Sequence, residues 1–323
     1  MVMNSFANPL SLSLVLVMGV SNIQVSAREV GDLRKAEVAY ESKRYAEAEQ
    51  ILLRLANGGN ARAARILGAC YMQGHGLPED YVKARVWLEK AAAAGQAGAM
   101  EDLAWLLNDG VGGPRDHRRA LSLREQAARL GNSNAQFKMG LSCMRGADTK
   151  QDYSRAFKYF QLSAERGNGD SECVLAHLSE SGRGVLKNQK VAAVLMKSAK
   201  LHGCATGEYE LGRTYLQGMG IPKDYARAFY WFSKAAADGN VHAMNNLGTM
   251  YYHGTGVPVD DKKALEWQQK AAKSGCPTAK YNMAERYRDG DCVPKDLKLA
   301  KILFDEAAKL GYTGPQDAKK DQR

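Results

Sequence analysis

The chain has 323 residues, a formal net charge of +10 from 45 basic and 35 acidic side chains, and 45% hydrophobic residues. A basic balance favours nucleic acid or an anionic membrane when the charges cluster. Here no run of five like charges occurs and Lys and Arg alternate with Asp and Glu, so the charge reads as a solvated helix surface that helps an acidic partner dock, and nucleic acid is not an expected partner.

The first 27 residues carry no charged side chain. The apolar run Leu10 to Val20 and the small residues Val25-Ser26-Ala27 before Arg28 have the pattern of a secretory signal peptide cleaved after Ala27. At 11 residues the run is shorter than the roughly 20 that span a bilayer, so stable membrane insertion is not expected. No cysteine follows it, which argues against a lipid anchor. The expected location is the periplasm or the exterior.

Residues 28–62 form a shortened first unit, in which Ala48 and Gly59 fall 36 residues before Ala84 and Gly95. An atypical, charged terminal unit is what a repeat array needs as a cap, because it has no neighbour on its outer side. From there the chain repeats every 36 residues. Leu67 is followed by Leu103, Met139, Leu175, Leu211, Leu247 and Met283 in the same frame. Gly74, Ala84 and Gly95 each recur as glycine, alanine and glycine through all seven units, 63–98, 99–134, 135–170, 171–206, 207–242, 243–278 and 279–314. Four positions held in register over seven units define a repeat array. Residues 315–323 are a polar tail expected to fray.

Each unit predicts two helices. The first, from about Ala63 to Met72, places Ala63, Leu67, Cys70 and Tyr71 on one buried face, and Gly74 ends it in a left-handed conformation. The second opens on Asp80 and its mates Asp116, Asp152, Asn188, Asp224, Asp260 and Asp296, which are N-caps. Gly68 and its mates are never larger than alanine. The alanine series from Ala84 is expected opposite them, with Trp87, Tyr159, Trp231 and Trp267 filling the space beside. The fold class is all-α: a solenoid of about eight helix-turn-helix repeats.

The run A-x-x-x-L-G-x-x-Y-x-x-G-x-G-V/I-x-x-D-x-x-x-A-x-x-W-x-x-K-A-A-x-x-G, nearly complete in Leu211–Gly239 and Leu247–Gly275, resembles the Sel-1-like repeat, a relative of the tetratricopeptide repeat. The likeness covers Ala63 to Gly311, and Ser42 to Ala48 resembles the plain tetratricopeptide turn. It implies a right-handed α-α superhelix that binds other proteins. Asp148 and Cys292 replace the second loop glycine, so the loop around Ala147–Lys150 is expected to be irregular.

No catalytic, cofactor or metal site is expected. The six histidines include no H-x-x-x-H pair and the six cysteines no C-x-x-C. The cysteines fall at different phases of the frame, and the fixed within-repeat spacing of cysteine-rich relatives is absent, so unbridged thiols are expected. Some of those relatives have been linked with β-lactamase activity, but that chemistry needs a serine in S-x-x-K, and none occurs. A secreted hydrolase of that type is the alternative reading.

In tetratricopeptide-like arrays the concave groove is lined by first-helix residues that point away from the second helix. Carried along the frame, these are Arg65, Met72, Glu101, Trp105, Asn108, Phe137, Arg145, His177, Glu180, Tyr209, Arg213, Asn245, Tyr252, His253, Tyr281, Glu285 and Arg288. Aromatic residues, Met and Arg are enriched at protein interfaces. The expected function is a non-enzymatic protein-binding scaffold. Family resemblance adds two roles: an immunity protein against a phospholipase effector of type VI secretion, or a regulator of an envelope sensor kinase.

Overall fold

The computed structural model describes residues 27–74, 77–219, 221–312 and 314. The proposed export segment before Ala27 and the polar tail lie outside the described residues. Among the described residues there are sixteen α-helices and no strand. α1 (Ala27–Glu41) and α2 (Tyr45–Asn57) form the first pair. The first helices of the following pairs are α3 (Ala61–Gln73), α5 (Ala97–Asp109), α7 (Ser133–Arg145), α9 (Gly169–Ser181), α11 (Ala205–Gln217), α13 (Val241–His253) and α15 (Pro277–Asp289). Their partners are α4 (Tyr81–Ala93), α6 (His117–Arg129), α8 (Tyr153–Ala164), α10 (Gln189–His202), α12 (Tyr225–Ala237), α14 (Asp261–Lys273) and α16 (Leu297–Lys309). The chain divides into two compact units, one ending at Gln136 and the other beginning at Phe137.

The capping residues set the helix ends. Asp80, Asp116, Asp152, Asn188, Asp224, Asp260 and Asp296 each accept from the backbone N–H three residues on, at the start of the second helix. Losing one such cap costs about 0.5–2 kcal/mol. The first helices end on left-handed glycines from Gly74 to Gly290, with φ between 63° and 75°. They begin earlier than the apolar pattern indicates: α3 starts at Ala61 because Asn60 accepts from the Ala63 N–H and caps it. The apolar series marks the buried face, whereas the cap marks the end.

In the N-terminal unit, Gly112 has φ 71°, and a Cβ there would lie 2.3 Å from the Tyr81 carbonyl oxygen. This second loop glycine is therefore where one hairpin's loop seats on the backbone of the hairpin before it. In the C-terminal unit Gly184 seats in the same way on Tyr153, and Gly256 on Tyr225. Cys292 keeps the left-handed conformation with φ 59° despite its side chain, whereas Asp148 does not adopt it. The loop after α7 takes another path, with the Ser142 hydroxyl bonded to the Asp148 carboxylate and Thr149 3.8 Å from the Cys143 sulfur.

The helix crossings correct one expectation. A Cβ at Gly68 would meet Leu88 Cγ at 2.6 Å, while Ala84 contributes only its backbone oxygen at 3.3 Å. The residue that fills the crossing is thus the one after the aromatic position. In the C-terminal unit the equivalent pairs are Gly140–Phe160, Gly212–Phe232 and Gly248–Gln268. Wherever the small residue is glycine, the facing side chain is fully enclosed: Leu88, Phe160 and Phe232 are 0% exposed and Gln268 3%. Where it is alanine, at Ala104, Ala176 and Ala284, the corresponding Arg124, Met196 and Phe304 are only partly buried. One methyl group decides how far the second helix's side chain enters. The aromatic position is buried at Trp87 and Trp231 and partly buried at Tyr159 and Trp267, with Lys90 4.0 Å over the Trp87 ring and Lys270 4.7 Å over Trp267.

Candidate functional site

Several of the expected groove residues are used up by packing. In the N-terminal unit Met72 is 2% exposed, because neighbouring helices close over it. Glu101 is 6% exposed and accepts from Arg124 Nε at 3.1 Å, tying α5 to α6. Arg65 Nε reaches Asp102 at 3.0 Å, a rung between α3 and α5. Trp105 is half-buried with its ring centroid 6.4 Å from that of Tyr81, and Asn108 bonds His117 and Asp109 at 2.8 Å.

In the C-terminal unit Phe137 is 5% exposed and packs 5.8 Å from Phe160. His177 is 8% exposed; Tyr215 Oη lies 2.9 Å from its Nε2, and the Tyr215 and Trp231 rings meet it edge-on. Burial, with Arg183 and Arg227 nearby, pushes its imidazolium down to about 4. Asn245, 7% exposed, accepts from Asn282 Nδ2 at 3.1 Å, a rung from α15 to α13. Met72, Phe137, His177 and Asn245 leave little surface for a partner.

Arg145 also turns inward, spanning from α7 to α11 to bind the Glu210 carboxylate, with Arg213 3.6 Å from the same group. Burial opposes the charge on Glu210, but the two guanidinium groups hold it below the usual carboxylate range. Tyr209 packs 5.8 Å from Phe232, and Tyr281 sits between Phe304 at 5.0 Å and Tyr312 at 5.3 Å. Glu180 is exposed, close enough to Arg227 for its charge to favour that guanidinium.

Four expected residues do come together. Tyr252, His253, Glu285 and Arg288 line a cavity of about 350 Å³ between α13, α14 and α15, with Thr249, Gln268, Asn282, Arg286, Asp289 and Asp291. Arg288 bonds Asp289 at 2.7 Å and lies 3.9 Å from Glu285. The Tyr252 hydroxyl donates to Asp291, which lowers that carboxyl and raises the phenol. Arg286 and Gln268 were missed because both occupy positions of the frame that normally pack. The signal was present, since Arg286 follows Cys70, Leu106, Ser142, Leu178, Thr214 and Met250 in its series.

A second cluster joins residues whose frame phases pointed to isolated thiols. Cys173 of α9, Cys204 at the start of α11 and Glu208 are buried, with one ligand-type atom of each within 4.8 Å of the others. A bond from Cys173 lowers the Cys204 thiol. The three have metal-ligand chemistry, but the Lys200 ammonium already lies 2.8 Å from Glu208 Oε1 and neutralises it. All six cysteines are free thiols.

The description "Sel1 repeat" matches seven consecutive windows, 61–96, 97–132, 133–168, 169–204, 205–240, 241–276 and 277–312. The chain belongs to the Sel1 repeat family. The Sel1 windows begin at the starts of the first helices, and the architecture is the family's all-α solenoid with a 36-residue repeat. Among solved structures, a protective antigen of uropathogenic Escherichia coli with this fold is 28% identical at TM-score 0.51, over 88% of this chain and 62% of that one. This chain thus spans less than two thirds of that protein's length. A Sel1 repeat protein from Oxalobacter formigenes is 26% identical at TM-score 0.55, over 74% of this chain and 96% of its own. No curated protein sequence matches this chain at a significant level.

Proposed function

We propose that this Sel1 repeat scaffold binds another protein on the first-helix face of its C-terminal unit, at the cavity between α13 and α15. The observation that carries the reading is the convergence of Tyr252, His253, Glu285 and Arg288 on one polar cavity. Hairpin packing asks for apolar or small side chains; these four are neither, and Tyr and Arg are frequent anchors of protein interfaces. The partner acts outside the cytoplasm, in keeping with the leader pattern of residues 1–27. An immunity protein against a secreted effector and an envelope regulator are the two roles this reading allows, and family resemblance is what supports both.

The hydrolase alternative finds less support. Ser198 and His202 both bond the Glu172 carboxylate at 2.9 Å, so the serine hydroxyl donates to the carboxylate and not to the imidazole, and the three do not form a serine–histidine–acid relay. The test is co-purification of the partner with wild type and with Tyr252→Ala/Arg288→Ala. Loss of the partner with unchanged helical circular dichroism supports the site. Retention moves it elsewhere, and nitrocefin turnover would sink the non-enzymatic reading.

A further inference from the structure

Arg286 is out of place for a packing position. The six residues that precede it in its series, from Cys70 to Met250, are all buried and none is charged. Arg286 is 5% exposed, and both Nη1 and Nη2 are buried with no hydrogen-bond partner. Its guanidinium carbon lies 4.3 Å from the Tyr252 ring centroid, which steadies the cation but satisfies none of those donors. Buried charges persist in proteins when they are paired. The acids along the cavity are bonded elsewhere: Glu285 and Asp289 by Arg288, Asp291 by Tyr252 and the Cys292 thiol; Asp291 lies near enough for the Arg286 charge to help lower its carboxyl, but it bonds neither Nη1 nor Nη2.

A second, independent oddity lines the same cavity. Gln268 stands where Leu88, Phe160 and Phe232 fill their crossings; it is 3% exposed and its Oε1 is buried without a partner. The cavity thus presents two unused donors from one guanidinium and one unused acceptor. A planar pair of oxygens matches the guanidinium fork, and a donor next to it matches Gln268. Three carboxylates on the lining disfavour a dianion such as phosphate, whereas a monoanion meets less repulsion.

We propose that this cavity receives a carboxylate of the bound polypeptide, held by Nη1 and Nη2 of Arg286, with an adjacent N–H donating to Oε1 of Gln268. The polypeptide origin of the carboxylate rests on the scaffold reading above. The chemistry occurs at a chain end and at an acidic side chain, and different probes separate the two.

The test is an NMR titration of the ¹⁵N-labelled full chain. The probes are N-acetylglycine (a chain end), N-acetyl-aspartic acid 1-amide (a side chain), N-acetylglycinamide (no carboxylate) and inorganic phosphate. The Arg286 Nε–H and the Tyr252 resonances are expected to shift with a carboxylate probe at least tenfold more tightly than with the glycinamide or phosphate. Preference for the first or the second probe identifies the source, and either supports the site. Arg286→Met and Arg286→Lys are expected to abolish the response. Arg286→Met, which restores the residue type of Met250, is expected to leave the thermal midpoint unchanged or raised. If it is lowered, Arg286→Lys decides by binding alone. No shift in wild type, an equal response to glycinamide or phosphate, or binding retained in both variants overturns the proposal. Partner co-purification that survives such a result leaves the scaffold reading standing and removes only the carboxylate receptor.

Discussion

Gly212→Ala adds one methyl to a closed helix crossing. A Cβ there lies 2.6 Å from both Cδ1 and Cε1 of Phe232 and 3.1 Å from its Cγ. Carbon atoms rest about 3.5–4.0 Å apart, so the ring has to retreat by roughly an ångström, and Phe232, at 0% exposure, cannot do so by moving a face already open to solvent. Overpacking of this kind costs about 1–3 kcal/mol, and the better helix propensity of alanine returns up to about 1 kcal/mol. The middle of that range, less the propensity gain, gives an expected net loss of about 1 kcal/mol. Urea unfolding followed by circular dichroism and by the fluorescence of the adjacent Trp231 measures it. Adding Phe232→Met, the residue type that faces Ala176, is expected to recover part of the loss, so the double variant is less destabilised than the sum of the singles. Stabilisation of Gly212→Ala by the propensity increment would refute the idea that the glycine is there to admit the ring.

His177 is neutral in the fold down to about pH 4, whereas an unfolded histidine takes up its proton near 6.5. Stability from this group is full above pH 6.5 and falls towards pH 4, by up to about 3 kcal/mol, and His177→Gln removes that slope in pH-dependent unfolding. Asp170 works against it: burial raises its carboxyl to about 6, so its contribution grows as pH falls from 6 towards 3.8, and Asp170→Asn steepens the acid loss. Arg145→Ala removes the side chain that bonds Glu210 and leaves Arg213 and Lys138 as its nearby cations, and is expected to cost about 2 kcal/mol. Arg145→Ala/Glu210→Gln costs less, and equal losses in thermal denaturation would contradict that coupling. Maleimide labelling of native protein is expected to modify Cys292 alone, since the other five cysteines are buried; rapid native labelling of Cys204 would contradict its burial.

The 36-residue frame made the helix pairs, their aspartate caps and their glycine ends legible because each is a local requirement that recurs at one position. It was less informative about contacts between hairpins. Periodicity marks Met72, Phe137 and His177 as turned away from their own partner helix, but not that the neighbouring hairpin covers them. The Gly68–Leu88 crossing was misassigned by a few residues for a similar reason: small residues were matched with small ones, whereas a glycine admits a large side chain. Arg286 and Gln268 were overlooked by reading the frame for what it shares and not for where one unit departs from it. Arg145 falls among the groove residues in the frame because its ion-pair partner lies 65 residues away, beyond the adjacent repeat.

Hydrogen–deuterium exchange of the chain with and without its co-purified partner tests the central claim most directly. Slowed exchange concentrated in the C-terminal halves of α13 and α15 and in the loop through Asp291 is the predicted result. Protection confined to the second helices, around exposed Val82, Val86 or Tyr230, would place the partner on the opposite side of the hairpins and contradict it.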